Sequence, residues 1–100
     1  MDSMTTLESD LVRIALAGRF DAHESDEVKA ELLEHLANGR THLGLDLAEV
    51  IFVDSSALAV MTSVMKRCRE AGGDLEIIDP SNPVRVILEL TSLDQAFVIR

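Results

Sequence analysis

The sequence contains one cysteine, no tryptophan, no tyrosine and three phenylalanines among its 100 residues. With Cys68 alone, no internal disulfide can form and a cysteine-based zinc site is not expected. Because aromatic residues are so few, the core must be mainly aliphatic. No apolar run approaches the ~18 residues that a membrane-spanning helix needs, and the N-terminus lacks the basic and apolar regions of a signal peptide. We therefore expect a cytoplasmic protein with no membrane insertion.

Positive charge is also scarce. Nine Lys and Arg residues stand against 18 Asp and Glu residues, which gives a formal net charge of −9 at pH 7 with histidine neutral. This excess of negative charge disfavours nucleic acid and anionic membrane surfaces as partners. It favours a partner with a basic surface, although a solvated acidic exterior explains it equally. A hydrophobic content of 47% suffices for a core, and the length predicts a single domain over residues 1–100.

Residue patterns typical of enzymes and metal sites are missing as well. Ser56 does not lie in a G-x-S-x-G elbow, and the spacing of the three histidines places none of them beside it. No group of His, Asp and Glu has the spacing of metal ligands. Gly72-Gly73 follows a predicted helix instead of preceding one, so it is not a phosphate-binding loop. The sequence therefore predicts a protein that is not an enzyme and holds no metal or cofactor.

Hydrophobic periodicity predicts an α/β protein in the order β-β-α-β-α-β-α-β. The first two strands suggest an antiparallel hairpin, and the alternation from residue 40 onward implies parallel strands with crossover helices. The predicted strands span residues 5–8, 11–17, 42–47, 50–53, 74–79 and 96–99. The predicted helices span residues 22–37, 56–71 and a third segment that Ser81 or Asn82 caps, with Val84, Ile87, Leu88 and Thr91 on its inner face.

The central predicted helix has an apolar face, and we expect its side chains to be buried against the sheet: Met61, Val64, Met65 and Cys68. At the start of the first helix, Asp21 and Ser25 compete as the N-cap. Before the central helix, Asp54, Ser55 and Ser56 can each accept a backbone N–H. A helix N-terminus suits a hydroxyl, a carboxylate or a phosphate, because its N–H groups are unpaired. On this pattern alone, Asp54 and Ser55 only cap the helix.

The stretch LDLAEVIFVDSSALAVM, residues 45–61, resembles the signature of STAS domains, and in particular the bacterial anti-sigma factor antagonists. In that family a D-S-S-G-L turn follows a strand, and the match falls on Asp54, Ser55, Ser56 and Leu58. Ala57 and Ala59 stand where the family usually has glycine. The resemblance covers nearly the whole chain and implies a STAS-type mixed β-sheet with helices packed mainly on one face. Many family members carry one more helix after the last strand, and without it we expect one sheet face to be less covered.

The resemblance implies a phosphorylation site at Ser56, the second serine of the turn. We expect Ser55, as the last residue before the helix, to cap it and to leave Ser56 freer. Asp21 matches a G-x-L-D position that lies near the kinase contact in the family, with Phe20 in place of leucine, and its role as an N-cap remains the other interpretation. The predicted partner-binding residues are Asp21, Asp54, Ser55, Ser56, Ala57 and Leu58.

The function implied by the resemblance is that of an anti-sigma factor antagonist. The dephosphorylated protein binds an anti-sigma factor that is also a serine kinase, and so frees a sigma factor. The kinase, with ATP and Mg²⁺ of its own, phosphorylates Ser56 and releases the protein, and a serine phosphatase resets it. Two alternatives stay open: a STAS scaffold subunit of a stress-signalling or lipid-transport complex that is never phosphorylated, and an enzyme that uses Ser56.

Overall fold

The computed structural model describes residues 2–100, which form a four-stranded sheet with three α-helices and one 3-10 helix. The strands lie side by side in chain order. They are β1 (Asp2–Glu8), β2 (Leu11–Phe20), β3 (His42–Val53) and β4 (Asp74–Ile78). The helices are α1 (Ala22–Ala37), α2 (Ser55–Glu70) and α3 (Asn82–Leu90), and the 3-10 helix is Leu93–Gln95.

The sheet is mixed, as the sequence predicts. β1 runs antiparallel to β2, whereas β2–β3 and β3–β4 are parallel pairs. Two register irregularities in the β2–β3 pair bring the ends of these strands level, so that Phe20 lies opposite Val53. The residues that follow β2 and β3, Asp21 and Asp54, therefore leave the sheet at the same edge, where the two strands end. This register places the starts of α1 and α2 next to each other.

All three helices pack on one face of the sheet, which confirms the predicted arrangement. Alternate residues of β2 and β3, together with the inner faces of the helices, form one apolar cluster. The predicted residues of α2, Met61, Val64, Met65 and Cys68, are all buried in it. Within residues 2–100, no helix lies on the opposite face, which carries partly exposed polar groups, among them the Arg13 and Asp46 ion pair at 2.7 Å.

The third and last predicted strands differ from expectation. Residues 42–53 form one continuous strand instead of two. Residues 96–99 contribute only an isolated parallel bridge between Ile99 and Ile77, because the 3-10 turn precedes them and Phe97 turns into the core. The pairing with β4 is thus limited to the residues around Ile99.

The expected inner face of α3 is also shorter than predicted. Val84 and Leu88 are buried, and Ile87 packs on the cluster. Thr91 lies beyond the helix as its C-cap and is exposed. Its hydroxyl donates to the carbonyl oxygen of Ile87 at 2.7 Å, so it closes the helix end instead of facing the sheet.

Candidate functional site

The carboxylate of Asp54 joins the N-termini of two helices. Its Oδ1 accepts the backbone N–H of Ala57 at 3.0 Å, and its Oδ2 accepts the backbone N–H of Ala22 at 2.8 Å. Ala57 lies in the first turn of α2 and Ala22 is the first residue of α1, so one side chain satisfies an unpaired donor of each helix. These N–H groups, that of Ala57 foremost, hold the pKa of Asp54 below its ordinary value. A fixed negative charge therefore sits at the junction of α1 and α2.

Of the two residues expected to cap α2, Asp54 is confirmed as the cap, and the expectation that Ser55 caps the helix is wrong. Asp54 has an extended backbone, as an N-cap requires, and α2 begins one residue earlier than predicted. Ser55 and Ser56 are consequently the first two residues of the helix. Within residues 2–100, neither serine hydroxyl makes a hydrogen bond. The expectation that capping distinguishes the two serines is thus wrong, because Asp54 leaves both hydroxyls free.

The two serines face different grooves, since successive residues of a helix point in different directions. Ser56 is half-buried and lines a groove between α1 and α2, which we call the inner groove, together with residues that include Lys29, Ala59 and Ser63. Ser55 is exposed and lines the outer groove, on the other side of α2, where Lys66 is also found. The two hydroxyls therefore present chemically different surroundings to a partner.

Asp21 caps α1, and its carboxylate accepts the backbone N–H of His23 at 3.1 Å. Ser25 does not compete for this role, because its hydroxyl donates to the carbonyl oxygen of Asp21 at 2.8 Å. Asp21 also faces Arg19, with Oδ2 to Nε at 3.6 Å. Its predicted contact with a partner kinase stays a prediction, but Asp21 and Asp54 do lie at the same edge of the fold.

The residues after Ser56 divide between core and surface. Ala57 is fully buried, so its methyl group faces the core and is not available to a partner. Leu58 is half-buried and packs against the core cluster. Ala59 is exposed and borders both grooves. Of the two alanines that replace family glycines, only Ala59 therefore alters the surface of the site.

Sequence reasoning missed an exposed apolar patch beside this junction. Residues 50–53 were expected to form a buried strand, but Ile51 is 65% and Phe52 36% exposed. β4 pairs with residues 42–46 of β3, so in the described part of the chain β2 is the one strand paired with the last residues of β3. The guanidinium of Arg19 lies 4.1 Å from the Phe52 ring centroid. A run of four apolar residues carries no periodic signal that could have distinguished the exposed positions.

Groups that could suggest other chemistry are structural in this fold. Cys68 is fully buried, and burial, with the nearby Asp74 carboxylate, raises the pKa of its thiol to about 11. The thiol is thus protonated at neutral pH. Among residues 2–100, no three His, Cys, Asp or Glu side chains are grouped so that they could hold a metal ion. No helix in the same range is long and apolar enough to cross a membrane.

A family model described as "Mlab, STAS domain" matches residues 3–100. The chain belongs to the STAS domain family. It is 31% identical over 81 residues to the anti-sigma F factor antagonist of Paenibacillus polymyxa, which covers 80% of this chain and 69% of that protein. It is 28% identical over 93 residues to the anti-sigma-B factor antagonist of Listeria monocytogenes, which covers 93% of this chain and 82% of that protein.

The fold of this STAS domain is similar to that of the Bacillus cell fate determinant SpoIIAA in its phosphorylated form. The TM-score is 0.77 at 19% sequence identity, over 99% of this chain and 91% of that one. At that identity the likeness concerns the fold alone. The curated relatives, in contrast, are named as antagonists of anti-sigma factors, which supports a regulatory role of this general kind for the STAS domain.

Proposed function

We propose that this STAS domain is an anti-sigma factor antagonist whose binding to an anti-sigma factor serine kinase is switched by phosphorylation of Ser56. The dephosphorylated domain binds the kinase and so frees a sigma factor. The kinase uses its own ATP and Mg²⁺ to phosphorylate Ser56, and the modified domain dissociates. A serine phosphatase restores the binding form. The domain itself performs no catalytic step.

The observation that carries this proposal is that Asp54, and not Ser56, makes the side-chain hydrogen bonds at the junction of α1 and α2. Asp54 supplies the hydrogen bonds that hold the two helix starts together. The Ser56 hydroxyl holds nothing in place within residues 2–100, yet it lies at the same junction. A phosphate on Ser56 therefore adds a charge of about −1.5 to −2 without breaking a structural contact. The fold can remain intact while the surface changes.

Phosphorylation of Ser56 is expected to weaken the binding of a partner even though the free domain tolerates it. Near a helix N-terminus, a negative group is favoured within the free domain by about 0.3–1 kcal/mol. In a complex that covers Ser56, the same group must lose its water against the partner, which costs several kcal/mol if no cation faces it. Asp21 and Asp54 lie at this edge, and their repulsion of the phosphate becomes stronger once a partner excludes the water around the site. Stability and partner binding should therefore respond to phosphorylation in opposite directions.

The exposed apolar patch supports a partner surface at this place. Ile51 and Phe52 project from the end of β3, directly before the D-S-S-A-L turn. A partner seated on Ser56 could also bury these side chains, and burial of apolar area is the main driving force of association. Together with the predicted partner-binding residues, the patch forms one surface. Its apolar part is Ile51 and Phe52, and the charge of its other part changes when Ser56 is phosphorylated.

The test is calorimetric titration of Ser56 variants against the candidate kinase. Ser56→Ala should bind as tightly as the unmodified domain and should not be released by ATP. Ser56→Asp and Ser56→Glu should bind about tenfold more weakly or worse, a loss of about 1.4 kcal/mol or more, and the phosphorylated domain should bind more weakly still. Mass spectrometry after kinase treatment should locate the phosphate on Ser56.

Ser55→Asp is the matched control for these titrations. It places the same charge in the first turn of α2, so that the helix gains the same favourable interaction, but the carboxylate faces the outer groove. Because Ser55 is also a predicted partner-binding residue, the comparison is of magnitude: a clearly larger loss of affinity in the Ser56 variants than in Ser55→Asp would assign the switch to position 56. Equal affinity of all forms, phosphorylated domain included, contradicts the proposal, as does a phosphate found on Ser55.

A docking subunit that is never phosphorylated is the second candidate function. The exposed methyl group of Ala59 favours it, because it borders the groove of Ser56 where the family usually has glycine and so narrows the approach of another backbone. Incubation with the candidate kinase and ATP separates the two functions. Stable binding without phosphate transfer would support the docking subunit.

A further inference from the structure

We propose that Lys29 is the counter-ion of a phosphate on Ser56, so that the modified side chain lies in the inner groove instead of projecting into solvent. The inference rests on the proposed phosphorylation of Ser56 and adds to it a specific residue of α1. Lys29 would then set the ionisation of the phosphate and connect α1 to α2 in the modified domain.

The inner groove brings Ser56 and Lys29 to one place. It is an open groove of about 360 Å³ between the facing sides of α1 and α2. Positions spaced by one helical turn form each wall, which keeps their side chains on the groove. The wall residues from α1 are Ala22, Ser25, Asp26 and Lys29, and those from α2 are Ser56, Ala59, Val60 and Ser63. Five of these eight residues are alanine or serine, so the groove has room for an added group.

Lys29 is available for a new ion pair. It is half-buried, and within residues 2–100 its ammonium group has no carboxylate partner and no hydrogen bond. Among the residues that line the groove it is the single cation, and α2 contributes no charged side chain there. Asp26 of α1 is the one acidic residue of the lining and is exposed. The flexible four-carbon stem and the three donors of lysine suit it to meet a phosphate oxygen.

Several backbone donors at the junction are already occupied by carboxylates. The N–H of Ala22 already donates to Asp54, and the N–H of His23 already donates to Asp21. The amide of Ala57, in the first turn of α2, is likewise paired with Asp54. The two carboxylates that occupy these donors would repel a phosphate. A side-chain cation is therefore needed for an attraction beyond that of the helix dipole, and among the described residues of the groove lining that cation is Lys29.

Two measurable consequences follow from this pairing. An adjacent cation favours the dianionic phosphate, so the second pKa of the phosphoserine should lie below the usual value of about 6. The ion pair would also link α1 to α2 only in the modified domain. Phosphorylation should therefore raise the melting temperature through Lys29, whereas the unmodified domain should not depend on it.

The experiment uses the full chain with phosphoserine incorporated during translation at position 56, so that no kinase is required. Phosphorus NMR titrations are compared for the native sequence, Lys29→Gln, Lys29→Arg and Lys66→Gln. Lys66 is the matched control, because it is an exposed lysine of the outer groove. Melting curves of the modified and unmodified forms accompany each titration.

In Lys29→Gln we expect the phosphate titration midpoint to rise by about 0.5–1 pH unit, less than for a buried pair because the groove is open. The gain in melting temperature on phosphorylation should disappear with it. Lys29→Arg should retain both effects, and Lys66→Gln should leave both unchanged. Equal midpoints in the native and Lys29→Gln proteins would overturn the inference, as would an equal rise in Lys66→Gln.

Failure of this inference is distinguishable from failure of the proposed function. The titrations contain no partner and report only on the phosphate and its surroundings. Partner affinity of the Ser56 variants is measured separately and does not require Lys29. A normal switch with an unperturbed phosphate would thus remove the Lys29 pairing alone, whereas a perturbed phosphate with unchanged partner affinity would remove the switch alone.

Discussion

Val64 provides the most direct test of how α2 is held on the sheet. Its side chain is fully buried in the middle of α2, within the cluster that the helices share with the sheet. Val64→Ala removes two methyl groups from this cluster. Val64→Asp places a carboxylate where, within residues 2–100, only apolar side chains form the surrounding cluster. The two changes probe packing and polarity at one position.

The expected magnitudes follow from burial. Two buried methyl groups correspond to about 1.6 kcal/mol of transfer free energy, and the cavity left behind brings the loss to about 2–3 kcal/mol. In a domain of this size each kcal/mol lowers the melting temperature by about 4–8 °C, so Val64→Ala should melt about 8–24 °C lower. An unpaired buried charge costs several kcal/mol or more, comparable with the whole stability of about 5–15 kcal/mol. Val64→Asp should therefore be unfolded at room temperature.

Circular dichroism melts and urea titrations measure both effects. Val86→Ala is the matched control, because Val86 lies on α3 with 52% of its surface exposed. The same truncation there should change the free energy of unfolding by no more than about 0.5 kcal/mol. A Val64→Asp protein that melts like the native domain, or a Val64→Ala loss no larger than that of Val86→Ala, would refute the assigned packing of α2.

Two further substitutions test the site and the loop before β4. The pKa of Asp54 lies below its ordinary value of 3.8, so its carboxylate contributes stability above that pH and loses it as the pH falls through the folded pKa. Asp54→Asn should be less stable than the native domain in urea titrations at pH 7, and the difference should vanish in acid; a difference independent of pH would contradict this role. In Gly73→Ala the new methyl group would collide with the backbone carbonyl oxygen of Thr41, which accepts the N–H of Asp74 at 3.1 Å. We expect a loss of at least about 1–3 kcal/mol in urea titrations, and native stability would show that this loop is not held as described.

Local patterns predicted much of the fold correctly. Helix α1 spans the predicted residues, and α2 ends at Glu70, one residue before its predicted end. The alternation of apolar residues in β2 and the row of apolar residues in α2 identified the buried faces. Such patterns can be read from sequence because side-chain direction repeats with a period of about 3.6 residues in a helix and 2 in a strand.

The D-S-S-A-L turn was likewise found from sequence, but the roles of its residues were not. That Asp54 also binds the first N–H of α1 depends on a contact across 32 positions of the chain. The register of β2 against β3 decided that Asp21 and Asp54 leave the sheet together. None of these distances is set by neighbouring residues, so no local pattern contains them.

The sequence by itself determined the three helices, most of the strands, the extent of α1 to within a residue, and that a strand-to-helix turn carries two serines. Tertiary structure alone decided that Ile51 and Phe52 are exposed, that Ser55 and Ser56 face different grooves, and that Lys29 lies in the groove of Ser56. The physical reason is the separation along the chain of the residues that determine each feature. Periodicity and caps depend on residues a few positions apart, whereas exposure and ion pairing depend on which distant segment packs alongside.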